Sequence, residues 1–194
     1  MLEKILGILQ PEKSFDLVCR NTEIAGRRCA LLFVDGMIKD EVMEKMLEYF
    51  LKLAPSVWED VADMQSFARR IIPYVEVADE DRLEAACTAI LSGNLGLFIE
   101  GFSACALVDV RTYPVRGVEE PEKDKVLRGS RDGFVETVVF NTALIRRRIR
   151  DPKLVMSIQS AGESSHTDIV VCYMEDRADL ELVGRIKERI SRDV

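Results

Sequence analysis

The 194-residue chain is long enough to bury one sizeable core or two modest ones, and a composition of 47% hydrophobic and 31% charged residues is typical of a globular protein. No apolar run approaches the roughly 18 residues that span a bilayer, and no small-residue cleavage site follows the N-terminus, so we expect neither a membrane span nor a secretory signal in this stretch. The formal net charge of -7 disfavours nucleic acid as a partner.

The cysteines indicate a reducing environment. They are odd in number, widely spaced in apolar segments, and form no CxxC pair, which argues against a disulfide framework or a cysteine-based metal site. We therefore predict buried free thiols in a cytosolic setting at Cys19, Cys29, Cys87, Cys105 and Cys172.

A short amphipathic helix and a hairpin open the chain. The N-terminal MLEKILGILQPEK predicts the helix, and residues 15–24 and 27–34 predict two strands joined by a turn at Gly26. Helical spacing of apolar residues then predicts a helix from Lys39 to Leu53, which ends before Pro55.

Two further helices and three strands are predicted next. Ser56 and Glu59 have capping-box spacing and open a helix that Pro73 ends. The segment YVEV predicts a short strand, and Asp79 is expected to cap a helix that stops at Gly93. Two more strands, 95–100 and 104–110, meet at Gly101.

The last third has a helix, a hairpin and another helix. Apolar spacing predicts a helix from Phe134 to Arg150, ended by Asp151-Pro152. KLVMSIQ and TDIVVCYM predict a hairpin around Ala161-Gly162, and Leu180 to Ile190 a final helix. Two strands make a marginal sheet, so we expect this unit either to pack on the first or to gain a strand from residues after Val194.

The predicted fold class is therefore α/β, of the α+β kind, with two small mixed subdomains joined by a charged connector. The first subdomain is expected to span residues 1–112, the connector 113–133, and the second subdomain, which we expect to be incomplete, 134–194.

The segment from Arg111 to Arg150 concentrates charge. It holds ten Lys or Arg against six Asp or Glu, a balance of +4 in an acidic chain. Such a segment is a candidate contact site for an acidic partner, an anion or a membrane surface. Arg146, Arg147 and Arg148 fan around the helix end and can grip different partners, among them the acidic cluster of Glu119, Glu120 and Glu122. Exposed ion pairs of little energetic weight are the alternative.

Signals for catalysis are weak. His166, the single histidine, stands beside Ser164, Ser165 and Asp168, but neighbours along a strand face alternate sides, which favours a solvated hairpin residue over a hydrolytic triad. The loop from Gly129 to Gly133 precedes a helix and could bind an anion there. It lacks the residues of a nucleotide-binding loop, so the signal for a phosphate site is weak, and a helix entry capped by Asp132 or Gly133, with Glu136 near the positive helix end, is the favoured interpretation.

The run EEPEKDKVLRGSRDGFVETVVFNTALIRRRIRDPKL resembles the central motif of the GerA family, the A subunits of spore germinant receptors. Other segments resemble one branch of that family, in which Ser130 replaces a frequent proline: SFDLVCR, FVDGMIKD, RTYPVRG and TDIVVCYMEDRADLELV. GESSH at 162–166 departs from the more basic pattern of relatives, which weakens the expectation of an anion contact there.

The resemblance implies which residues form contacts. The matching motif positions with interaction chemistry are Glu119, Glu120, Glu122, Arg128, Arg131, Glu136, Asn141, Arg146, Arg147 and Arg148. Pro121, Gly129, Gly133 and Phe134 also match the motif.

The resemblance further implies a non-enzymatic cytosolic N-terminal domain of a multi-pass protein of the spore inner membrane, whose membrane helices follow Val194. Its expected role is subunit assembly and gating of an ion-conducting complex in germination. Expected partners are other subunits, including copies of itself, with no cofactor, no metal and no nucleic acid. The alternative is a small-ligand-binding module with its site in the cleft between the two subdomains.

Overall fold

The computed structural model describes residues 1–72, 76–112 and 133–192. Within them the helices and strands, in chain order, are α1 (Leu2–Leu9), β1 (Leu17–Ile24), β2 (Arg27–Val34), α2 (Asp40–Leu51), a 3-10 helix (Pro55–Asp60), α3 (Met64–Ile71), β3 (Val77–Glu80), α4 (Leu83–Leu91), β4 (Leu95–Ile99), β5 (Cys105–Val108), α5 (Val138–Arg148), β6 (Leu154–Ala161), β7 (Thr167–Met174) and α6 (Leu180–Arg192). Across this part of the chain, no helix combines the length and the hydropathy required to cross a membrane.

The strands form two antiparallel sheets. The larger has the order β1-β2-β4-β5-β3, and the smaller pairs β6 with β7. All five residues of β4 are buried, because helices cover both faces of the larger sheet. The predicted α/β class, with its hairpin at Gly26 and the strand pair at Gly101, is confirmed.

Two apolar cores lie on the two faces of the larger sheet. Alternate residues of one strand enter different cores, as Leu31 and Leu32 of β2 do. The first core joins the sheet to α3 and the 3-10 helix and includes the stacked rings of Trp58 and Phe67, whose centroids are 5.5 Å apart. The second joins it to α1 and α4, and it also contains Ala143 of α5. The C-terminal third therefore packs directly on the first sheet.

The start of α3 differs from the prediction. The capping box is formed by Asp63 and Ser66: the Asp63 carboxylate accepts from the Ser66 amide at 2.7 Å, and the Ser66 hydroxyl accepts from the Asp63 amide at 3.1 Å. The predicted Ser56–Glu59 box is wrong, because those residues belong to a short 3-10 helix that ends in extended backbone at Val61.

The next helix entry also differs. Asp79 lies within β3 and caps nothing, whereas the Glu80 carboxylate accepts from the amide of Arg82, the residue before α4, at 2.9 Å. The pairing of β3 with β5 holds residues 77–80 in an extended conformation, so α4 begins only at Leu83. Of the predicted strand YVEV, Tyr74 and Val75 lie outside the described residues.

Helix α5 begins at Val138, four residues after the predicted start. The side chain of Asn141 accepts from the Val135 amide and donates to the Val135 carbonyl, both at 2.7 Å, which holds the preceding turn out of the helix. Thr137 is the residue before the helix, so Gly133 does not cap it. Asp132 and the loop from Gly129 lie outside the described residues. The end of α5 before Asp151-Pro152 follows the prediction.

Candidate functional site

A fully buried arginine stands at the end of α5. Arg146 has a relative exposure of 0% and forms a two-point ion pair with Asp16, which precedes β1. Its Nε donates to Oδ2 of Asp16 at 2.7 Å, and its Nη2 donates to Oδ1 at 3.1 Å. Paired, parallel hydrogen bonds of this kind are among the strongest that side chains make in proteins.

The other donors of Arg146 bind the start of the second sheet. Nη1 donates to the carbonyl of Asp151 at 3.1 Å, and Nη2 donates to the carbonyl of Leu154 at 3.0 Å. Nη2 also lies 3.2 Å from the hydroxyl of Ser14. One guanidinium therefore joins the entry to β1, the end of α5 and the start of β6.

Ser14 closes the network. Its hydroxyl donates to Oδ1 of Asp16 at 2.6 Å and accepts from the amide of Met156 at 2.9 Å. The amide of Phe15 donates to the carbonyl of Met156 at 3.0 Å. We call Arg146, Asp16 and Ser14, with the backbone of Asp151, Leu154 and Met156 that they bind, the arginine joint.

The arginine joint has the satisfied hydrogen bonds that a buried charge requires. Burying an ion pair is unfavourable unless its remaining donors and acceptors are also bonded. Here Nε and both terminal nitrogens of Arg146 are engaged, and no buried side-chain nitrogen or oxygen in the described part of the chain lacks a partner. The geometry is therefore specific for arginine at this position.

A glycine brings α5 close to the first sheet. Gly36, in the turn after β2, has a φ of +76°, and a Cβ there would lie 2.9 Å from Cγ1 of Val139 and 3.2 Å from Cβ of Ala143. This close approach seats α5 on the second core and aims its last turn at Asp16.

The neighbouring arginines are on the surface. Arg147 and Arg148 are exposed, as the fanning of consecutive helical residues requires. Glu136 is also exposed, whereas Asn141 is turned toward the backbone of Val135 and acts within the α5 entry. The other predicted interaction residues lie outside the described residues: Glu119, Glu120, Glu122, Arg128 and Arg131.

The partner predicted for the arginines needs one correction. The carboxylate bound by Arg146 is Asp16, far away in sequence, and not the acidic cluster at 119–122. For Arg147 and Arg148, pairing with that cluster stays a prediction.

A second ion pair sits where the chain enters the charged segment. The Arg111 guanidinium binds both carboxylate oxygens of Asp109, with Nε 2.9 Å from Oδ1, and this hydrogen bonding lowers the pKa of Asp109. Asp109 is thus held ionised. The backbone of Arg111 also forms an isolated antiparallel β-bridge with that of Ile38, which lies just before α2.

The single histidine and the five cysteines are the remaining sequence candidates for chemistry. His166 is exposed in the hairpin turn with a φ of 45°, and no group of three or more His, Cys, Asp or Glu is arranged to hold a metal within the described ranges. Cys29, Cys87 and Cys105 are buried thiols as predicted, but Cys19 is half-buried and Cys172 is exposed, because their strands each have one partly open face. The predicted small-ligand cleft stays untested.

A family model described as Bacillus/Clostridium GerA spore germination protein matches residues 3–192. The chain belongs to the GerA family. The resemblance carried by the charged motif is thereby confirmed.

Individual GerA-family relatives agree over most of the chain. Stage V sporulation protein AF of Bacillus subtilis is 34% identical over 92% of this chain, and spore germination protein GerLA of Bacillus cereus is 28% identical over 90%. The chain spans 36% of the length of each of these relatives. Both are named as sporulation or germination proteins.

The same fold occurs in a solved structure. The crystal structure of the N-terminal domain of the A subunit of the Bacillus megaterium spore germinant receptor GerK3 matches with a TM-score of 0.73 at 19% identity. The match covers 100% of this chain and 70% of that one. The fold is therefore that of a germinant-receptor N-terminal domain.

The pairing of Arg146 with Asp16 was missed by sequence reasoning, although a signal was present. Ser14 and Asp16 open the segment SFDLVCR, which resembles the family as the RRR run does. A family segment that holds a carboxylate and a hydroxyl and another that holds three arginines are candidates for mutual contact, even when 130 residues separate Asp16 from Arg146.

Proposed function

We propose that the chain is the cytosolic N-terminal domain of a multi-pass GerA-family protein at the spore inner membrane, where it mediates subunit assembly and gating of an ion-conducting complex during germination. The role is non-enzymatic and needs no cofactor. Membership of the GerA family and the likeness to a receptor N-terminal domain support this assignment.

The arginine joint is the observation that carries the gating part of the proposal. Through one buried side chain it links the entry to β1, the end of α5 and the start of β6. A displacement of β6 would therefore also displace the entry to β1. Buried charge networks have few alternative arrangements, which favours discrete over gradual movement.

The exposed arginines next to the joint carry the assembly part. Arg147 and Arg148 are exposed in the last turn of α5, within the charged segment, and arginine is enriched at protein interfaces because it makes several directed hydrogen bonds. In the proposal they contact acidic groups on another subunit of the complex, including another copy of the same protein.

The experiment is a charge reversal in the full-length protein. Arg147→Glu with Arg148→Glu is expected to reduce co-purification of differently tagged copies and other germination subunits by at least about tenfold, as loss of central interface residues does. Germination rate should fall in parallel, while the protein level in spores stays constant.

The matched control is Arg69→Glu with Arg70→Glu, two adjacent exposed arginines in the last turn of α3. This pair changes the net charge equally at the same helical position. Equal losses from both pairs would indicate a general charge effect and contradict a contact at α5.

A further inference from the structure

Helix α2 presents a row of carboxylates to solvent. Successive residues of a helix are about 100° apart around its axis, so every carboxylate of α2 falls within one arc of about 100°. Leu51, which is 76% exposed, lies in the same arc, and the single lysine of the helix lies outside it. We call this surface the acidic face of α2, and its members are Asp40, Glu41, Glu44, Glu48 and Leu51.

The acidic face is unfavourable for the helix that carries it. Asp40, Glu44 and Glu48 follow one another at intervals of four residues, where like charges repel across one turn. Asp40 is favourable at the helix N-terminus, but Glu48 lies in the last turn, near the negative end of the helix dipole. Neither Glu44 nor Glu48 has an ion-pair partner among residues 1–72, 76–112 and 133–192. A cationic partner from outside this part of the chain would relieve the repulsion.

The end of α5 has the opposite charge. Arg147, Arg148 and Arg150 are exposed there. Phe140 and Ile149, which are 45% and 39% exposed, lie among them. Phe140 precedes Arg147 by seven residues, two helical turns, so the two side chains are on the same side of α5. We call these five residues the basic end of α5.

The two surfaces lie on opposite sides of the larger sheet. Phe50 of α2 is buried in the first core, whereas Ala143 of α5 is buried in the second. The sheet therefore separates the helices, and no ion pair among the described residues joins them. Surfaces that are kept apart within one molecule can still meet between two copies.

The two surfaces complement each other. Four carboxylates on one side face three guanidinium groups on the other, and Arg binds carboxylates through two parallel hydrogen bonds. Each surface also exposes large apolar side chains among its charges, Leu51 on α2 and Phe140 and Ile149 on α5. Protein interfaces combine an apolar centre with a charged rim in this way.

We propose that the acidic face of α2 binds the basic end of α5 on a second copy of the chain. The inference rests on the proposed function, because it names the partner surface for the assembly contact of Arg147 and Arg148. Since the two surfaces differ, the contact is head-to-tail, and each copy offers one surface to each of two neighbours.

The test is an exchange of charge between copies of the full-length protein that carry different tags. One variant carries Glu44→Arg with Glu48→Arg, and the other carries Arg147→Glu with Arg148→Glu. Each variant is expected to co-purify with itself at least about tenfold less than the unchanged protein does, because like charges then meet. The two variants should co-purify with each other to within about threefold of the unchanged protein, since each contact between unlike copies again pairs opposite charges.

The pattern of losses separates this inference from the proposed function. Loss in the α5 variant alone would keep the assembly role of α5 and overturn its pairing with α2. No loss in either variant would contradict both. Failure of the two variants to co-purify with each other would also overturn the pairing, whether the surfaces do not meet or a variant does not fold.

A matched control reverses two other exposed carboxylates at a helix. Asp81→Arg with Glu84→Arg changes the net charge as much as the α2 variant does, at the entry to α4. We expect it to change co-purification less than about threefold. A loss equal to that of the α2 variant would indicate a general charge effect and overturn the pairing.

Discussion

At the scale of single residues, Arg146 is where charge and burial meet. Three arginines follow one another in α5, yet only the first is enclosed, by Asp16 and by backbone carbonyls. The free energy of such a buried pair depends on both partners being present, since a lone buried charge is strongly unfavourable. Removing one partner should therefore lower the free energy of unfolding more than removing both.

Arg146→Met tests this dependence. We expect it to lower the free energy of unfolding by about 3–5 kcal/mol, because it leaves the Asp16 carboxylate buried and unpaired. Arg147→Met, at an exposed position, should change it by about 1 kcal/mol or less. Urea titration followed by circular dichroism measures both, and adding Asp16→Asn to Arg146→Met should restore part of the loss. Similar losses from the two single variants would contradict the structural role of the joint.

The cysteines give a prediction about reactivity. Burial raises the pKa of the Cys29 thiol to about 11 and that of Cys105 to about 12, so at pH 8 both stay protonated, and only the thiolate is nucleophilic. Cys172 is exposed. Iodoacetamide should therefore modify Cys172 first and Cys29 and Cys105 last, as measured by peptide mass spectrometry over time. In urea all should react at similar rates. Early modification of Cys105 in the folded protein would contradict the described core.

At the scale of elements, the seat of α5 on the first sheet decides where Arg146 points. That seat depends on Gly36, which combines a positive φ with close contact to Val139 and Ala143. A side chain there would push the helix away from the second core. The joint is therefore sensitive to a position that carries no charge.

Comparing Gly36→Ala with Gly26→Ala isolates this contact. Both glycines have positive φ, +76° and +80°, but nothing lies within 4 Å of a Cβ at Gly26. Gly26→Ala should lower the free energy of unfolding by about 1 kcal/mol, from backbone strain alone. Gly36→Ala should lower it by about 1–3 kcal/mol more, because the added methyl group overpacks the contact with α5. Thermal or urea unfolding measures the difference. Equal costs would show that α5 does not rest on Gly36.

Element positions were largely predictable, because the evidence for them is local. The alternation of apolar and polar residues predicted both hairpins, the helical spacing of apolar residues predicted α2, and Pro152 predicted the end of α5. The predicted starts of α3 and α5 were wrong, because several nearby polar side chains could accept a hydrogen bond from the backbone amides there. Asp63 and Asn141 offered no stronger local pattern than Ser56 or Gly133.

At the scale of the whole molecule, the sequence identifies the family but does not show which residues Arg146 binds. The charged motif identified the GerA family, and its RRR run contains the buried Arg146. It could not identify Asp16 as the partner, because an ion pair between residues 130 positions apart leaves no periodicity in the sequence. Nor could composition separate the buried arginine from its exposed neighbours, which requires knowing which helix face meets the sheet.

In the proposed function, the arginine joint transmits movement between parts of the chain. This is tested by the germination rate of spores whose full-length protein carries Arg146→Lys, which keeps the charge but loses the forked geometry, against Arg147→Lys as control. With protein levels verified by immunoblot, we expect the germination rate to change for Arg146→Lys alone, by about tenfold if roughly 1.4 kcal/mol of coupling is lost. Unchanged germination with Arg146→Lys at normal protein level would contradict it.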